Sequence, residues 1–265
     1  MRAICQKSLP FSPWDSEVTA RLPGIQPLRT EELFLQDDAF KKQMEYRDEL
    51  ILNRRKEVFQ LNKQADAASK ELLDLVLTKL RINENYSFSD SSITRPDGKE
   101  VTLESDNALI VAGRLVQEDL LILQWDEEFQ EHALKGGILC FPALWKLEEK
   151  MEKPMSRIHR PVQHYTEKIS RLVQRMFVNL KVETPLWRAN WYLYNDPELF
   201  APQKEELSQA TRKSFFEGHF WVRVERQTLV RLPVTGAIIF GIHTFVVSRS
   251  RLTLSQIQSL KRIDA

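Results

Sequence analysis

Glycine is scarce, at 8 of 265 residues, or about 3% where ordinary usage is roughly 7%. Neither G-x-x-x-x-G-K-S/T nor G-x-G-x-x-G occurs, so the glycine-rich phosphate cradles of P-loop and Rossmann proteins are excluded. Cysteine is scarcer still. Cys5 and Cys140 cannot build a disulfide framework and lack the paired spacing of a zinc or iron–sulfur site, which fits a reducing, cytoplasmic compartment. An excess of either charge is also missing: 38 Lys+Arg against 37 Asp+Glu leave a formal charge of +1, without the basic signature of a nucleic-acid binder. No long hydrophobic run is present. The longest, Ala237 to Val247, is broken by His243 and Thr244 and falls short of the roughly 20 residues that cross a bilayer. Met1 to Trp14 has Gln6, Lys7 and Pro10 where a secretory signal needs an apolar core, so no export is expected.

What is present is a globular composition, 42% hydrophobic and 28% charged, enough for one sizeable core. Pro10, Pro13, Pro23 and Pro27 punctuate an extended arm. Thr30 to Arg81 has neither proline nor glycine and reads as helix, with Thr30 as cap and Glu31 and Glu32 in the first turn. Leu72, Leu73, Val76, Leu77 and Leu80 draw an apolar stripe on it. Asn83 to Lys99, with Pro96-Asp97-Gly98, reads as a loop or hairpin. Ala108 to Val116 and Leu120 to Trp125 read as short strands and Gly136-Gly137 as a turn.

Phe141 to Met151 is expected to be a short helix opened by Pro142. Met155 to Gln163 is irregular or a single helical turn, because the residue before Pro161 avoids the α region. Tyr165, Ile169, Leu172, Val173, Met176, Phe177 and Leu180 mark an amphipathic helix. Leu186–Tyr194, Phe220–Glu225 and Ala237–Val247 then read as three antiparallel strands, with 196–214 as a long connection. The order predicts an α+β fold with one sheet. A single domain over 1–265 is expected, with 1–82 as arm and helical extension.

None of the five histidines forms an H-E-x-x-H pair. His159, between Ile158 and Arg160-Pro161, is either an axial ligand presented by a rigid backbone or a loop histidine bonded to a carbonyl. His164 follows closely. Alternation puts Ile239, Gly241, His243, Phe245 and Val247 on one strand face, where Gly241 can mark close approach of a ligand and His243 either lines that pocket or is a satisfied core residue. Arg223, Arg226 and Arg231 supply forked donors suited to haem propionates or bound oxygen, or simply lace an exposed strand. The run Trp187-Arg188-Ala189-Asn190-Trp191-Tyr192 either lines a pocket for a small cation or packs the core.

Six stretches, LVQEDLLIL (115–123), GGILCFPALWKLEEK (136–150), IHRPV (158–162), PLWRANW (185–191), RVERQTLVRLP (223–233) and IIFGIHTF (238–245), resemble the haem-dependent oxidative N-demethylase family. The resemblance implies a PAS-like domain whose antiparallel sheet and helices enclose one b-type haem (haem b), with His159 as iron ligand in the helical segment between the second and third strands. It further implies that O2 and a small amine such as dimethylamine meet there, beside Arg226 and His243 as catalytic groups, with Arg188, Arg231 and Gly241 contacting the haem. FMN, an iron–sulfur cluster, NADPH and tetrahydrofolate are implied only through partner chains, so a reductase-type partner is expected, with neither nucleic acid nor membrane. The alternatives are a haem-based gas or redox sensor and a haem-free interaction protein on the same fold. Three departures mark this chain: Gln163 and His164 follow IHRPV where the family has proline, His243 and Phe245 stand where arginine and tyrosine are common, and Glu152 stands where glycine is common.

Overall fold

The computed structural model describes residues 2–15, 19, 24–160, 166–203 and 219–263. The proline-punctuated arm leads into strand β1 (Gln26–Pro27). Thr30 opens a 3-10 turn and does not cap a helix; its hydroxyl donates to Glu31 Oε1 at 3.0 Å. The expected helix over 30–81 is divided into α1 (Phe40–Asn53), a single turn α2 (Arg55–Val58), strand β2 (Phe59–Leu61) and α3 (Asp66–Leu80). The break has a tertiary cause. Phe59, Gln60 and Leu61 pair with Ile138, Gly137 and Gly136, and Asn62 accepts a hydrogen bond from Gln64 N at 2.8 Å to start a new turn. Those bonds outweigh a modest helical propensity. The stripe on α3 is as read: Leu72, Val76 and Leu80 are buried, with Leu73 and Leu77 packed beside them.

The hairpin region forms a small sheet of β3 (Ser87–Phe88), β4 (Ser92–Thr94) and β5 (Glu100–Thr102), whose turn places Gly98 at φ 81°. Ala108–Val116, read as a strand, is instead helix α4 (Ala108–Leu115). Asn107 caps it through Leu109 N at 2.9 Å, and Leu109, Ile110, Val111, Ala112 and Leu115 are all buried. A run that is apolar at every position but Arg114 carries little period, so the cap is what distinguished helix from strand.

Strands β6 (Asp119–Asp126) and β7 (Glu131–Ile138) form a hairpin. Gly136-Gly137, read as a turn, lies inside β7. A Cβ on Gly137 would meet Leu121 Cδ2 at 2.5 Å and Leu147 Cδ1 at 3.0 Å, so these glycines admit neighbouring side chains against the strand. Gly137→Val is expected to destabilise the protein by about 1–3 kcal/mol through overpacking, measured as a lowered urea midpoint.

Helix appears in the expected Phe141–Met151 segment only as α5 (Leu147–Lys150). Upstream, Pro142 O and Leu144 N bond to Ala201, and Arg223 donates to Phe141 O, which holds the chain extended. Then follow a single turn, α6 (Met155–Ile158), the amphipathic helix α7 (Glu167–Asn179) capped by Thr166, and strands β8 (Leu186–Tyr194), β9 (Trp221–Arg231) and β10 (Ile238–Ser248), before helix α8 (Leu254–Ile263). Helices and an antiparallel sheet make the fold α+β. The large sheet runs β1-β8-β9-β10-β6-β7-β2, so residues 1–82 contribute both edge strands. Among the described residues no helix is long and apolar enough to cross a membrane.

Register divides the sheet into two faces. Arg188 pairs with Gln227 and Gln227 with Ile242, whereas Ala189 pairs with Arg226 and Arg226 with His243. The first row belongs to a front face, where Leu121, Leu123, Leu229, Ile238 and Ile242 pack with Met155, Ile158, Phe177 and Leu180. The second belongs to a back face, covered by the arm and the N-terminal helices.

Candidate functional site

The front face carries polar side chains on strands that should be apolar there if they only packed. Along β8 these are Arg188, Asn190, Tyr192 and Tyr194; opposite them on β9 stand Gln227, Glu225, Arg223 and Trp221. Glu225 is 6% exposed. Burial pushes its carboxyl up, against the pull of Arg223 Nε at 3.5 Å from Oε1 and of Gln227 Nε2 donating to Oε2 at 3.2 Å. Arg188 Nη2 donates to Asn190 Oδ1 at 2.6 Å, while Arg188 Nε and the Tyr194 hydroxyl are buried with no hydrogen-bond partner among the described residues. Orphaned buried donors are rare, and they ask for an acceptor.

His159 ends α6 on this same side. Its backbone N donates to Met155 O at 3.1 Å, and its Nδ1 lies 3.0 Å from that oxygen. A carbonyl only accepts, so Nδ1 carries the proton and Nε2 the lone pair, the orientation found in ligating imidazoles. Burial pushes the ring down to about 4, with the charges of Lys150 and Arg188 acting the same way, and the imidazole is neutral at physiological pH. Above the face, α7 has a pronounced apolar stripe that is poorly covered: Phe177 is buried, Ile169, Val173 and Met176 are half-buried, and Leu172 is 54% exposed. A neutral imidazole, half-covered apolar walls and orphaned donors suited to carboxylates together fit a haem. No group of three or more His, Cys, Asp or Glu that could hold a bare metal ion occurs among the described residues; iron within a porphyrin needs only the axial side chain.

The other expected site residues are dispersed. Arg231 shares the front face, but its Nη1 lies 3.3 Å from both Phe177 O and Val178 O, where it caps the carbonyl end of α7. Gly241, His243 and Arg226 lie on the back face, across the sheet from His159. A Cβ at Gly241 would meet Thr228 Oγ1 at 2.6 Å, so the close approach there is to a neighbouring strand. Arg226 Nη2 donates to Glu32 O at 2.6 Å, and its guanidinium stands 5.8 Å from the Trp187 ring. His164 falls outside the described residues. At Glu152 φ is 60°, and the side chain bonds Lys135 Nζ at 2.8 Å and Asn62 Nδ2 at 2.7 Å.

His243 is fully buried between two carboxylates, Nδ1 at 3.1 Å from Glu118 Oε1 and Nε2 at 3.0 Å from Asp37 Oδ2. Burial alone would lower its pKa, but the two carboxylates raise it to about 9. The folded state therefore holds a proton more tightly than the unfolded one. This contribution is complete below about 6.5, declines as pH rises, and is lost above about 9. Urea titrations are expected to show stability falling over that window by a few kcal/mol, and His243→Gln is expected to flatten the profile.

Sequence reasoning missed Glu225, Asn190, Tyr194 and Gln227 as site residues. Their signal was the polar member of each alternating pair in β8 and β9, visible once the register shows which face those pairs share. A protein-family model described as "haem-dependent oxidative N-demethylase, alpha subunit-like" matches residues 24–262. That description implies haem dependence, an oxidative demethylase type of enzyme and a further subunit. The match runs from ahead of β1 into α8 and takes in every strand of the sheet and the whole of the front face. The chain belongs to the haem-dependent oxidative N-demethylase, alpha subunit-like family.

Proposed function

We propose that the front face holds one b-type haem with His159 as its axial ligand, and that the loaded chain demethylates a small secondary amine such as dimethylamine. The observation that carries this reading is the His159 imidazole, neutral and fixed by the Met155 carbonyl so that Nε2 bears the lone pair. An antiparallel sheet with the histidine in the helical segment between β7 and β8 supports the PAS-like part of the reading. The protein as a whole is read as one such domain, working in the cytoplasm.

Bound haem would supply the activation of O2. The chain's own groups do the rest. Arg188 Nε and the Tyr194 hydroxyl, orphaned and buried, are suited to take the haem carboxylates. Ile158, Leu229 and Ile242 exclude water from the face. A dialkylamine arrives as an ammonium ion; the Glu225 carboxyl, its pKa raised by burial, is suited to bind that charge and accept the proton. The reaction consumes the amine, O2, two electrons and two protons and yields the primary amine, formaldehyde and water. The electrons require a reductase-type partner bearing FMN and an iron–sulfur cluster and fed by NADPH, and tetrahydrofolate would take up the formaldehyde. Neither glycine-rich phosphate motif occurs in the chain's own sequence.

Haem-reconstituted protein supplied with a chemical reductant, O2 and dimethylamine is expected to release formaldehyde. Haem uptake without formaldehyde would favour a sensor, and absence of uptake a haem-free interaction protein.

A further inference from the structure

The tip of the β6–β7 hairpin exposes two large aromatic rings, Trp125 at 42% and Phe129 at 41%. Around them stand Asp126, Glu127, Glu128 and Glu131. The cation within the hairpin, Lys135, is 4% exposed and taken up by Asp126 at 2.7 Å and Glu152 at 2.8 Å. The tip is thus an aromatic surface with a negative rim. From it a line of rings leads inward: Trp125 stacks edge-on against His132 at 5.6 Å between centroids, and His132 against Phe177 at 5.2 Å. Gln174 Oε1 fixes His132 Nδ1 at 2.9 Å. Phe177 packs in the same apolar cluster as Met155 and Ile158, the turn that carries His159.

We propose that this hairpin tip is the docking surface for a redox protein presenting a basic face, with Trp125 and Phe129 as its anchors. Exposed aromatics ringed by charge have the anatomy of an interface core and rim. Like-signed carboxylates steer an oppositely charged partner and make its association salt-dependent. The ring line connects that surface to the front face, so docking here would put an electron donor at its outer end. The inward half of the inference rests on the haem reading; docking itself does not.

Ferric cytochrome c, a basic electron-transfer protein, is the probe, with binding to the haem-free chain followed by calorimetry at low ionic strength. Glu127→Lys with Glu128→Lys, and separately Trp125→Ala with Phe129→Ala, are each expected to raise Kd about tenfold or more, whereas Glu84→Lys on a remote loop changes it less than about twofold. Absence of binding, or tip variants that behave like the Glu84 variant, would overturn the proposal. Failure of haem uptake with docking intact would remove the haem reading alone, and failure of docking with normal uptake the surface alone.

Discussion

His159→Gly is expected to abolish axial ligation of haem while leaving the fold intact. The side chain is half-buried, and the Nδ1 hydrogen bond to the Met155 carbonyl lies within its own turn, so retention of the fold is checked by the urea midpoint of the variant. Its effect on the iron is expected to be of another order, because the substitution removes the imidazole proposed as axial ligand. The expected readout is a shifted and weakened Soret band with a spectrum that no longer reports histidine ligation. Free imidazole, small enough to enter the gap, is expected to restore the wild-type spectrum. A variant that keeps the wild-type band without added imidazole would move the ligand elsewhere.

Asp119→Ala is expected to be the most destabilising single change in the core. Asp119 and Arg47 are both fully buried, with Arg47 Nη1 at 2.9 Å from Asp119 Oδ1. The same carboxylate accepts from Cys140 N at 2.7 Å and Phe141 N at 2.9 Å, which secures the chain leaving β7. Truncation strands one guanidinium and two backbone donors in the interior, for which about 3–5 kcal/mol is expected. For a chain of this size that is a fall in Tm of roughly 5–10 °C. A shift of only a few degrees would mean that water reaches Arg47 in the folded state.

Both predictions depend on placements that the sequence revealed unevenly. Strand β8 was legible from its aromatic content, β9 from its alternation and β10 from its apolar, β-branched run, and α7 because its stripe is regular. Helix α4 was not, since an apolar run without period fits either buried element. The break between α1 and α3 was also hidden, because it comes from pairing with residues some eighty positions away. At the site, alternation correctly grouped Gly241 with His243. It could not tell which face of β10 the function uses. The β8–β9–β10 register separates the two faces: Arg226 and His243 turn toward the arm, where Asp37 and Glu118 occupy the imidazole. Glu225, one residue from Arg226, turns to the front face.

Scarcity of glycine gains a structural counterpart here. The chain builds no phosphate cradle; its in-strand glycines at 136 and 137 make room for Leu61, Leu121 and Leu147.

Stoichiometric haem titration of the purified wild-type chain, followed by absorption, tests the central claim most directly. Saturation at one haem per chain is expected, with a Soret band and a histidine-ligated spectrum that depends on His159. A titration that never saturates, or a saturated spectrum indifferent to His159, would contradict it.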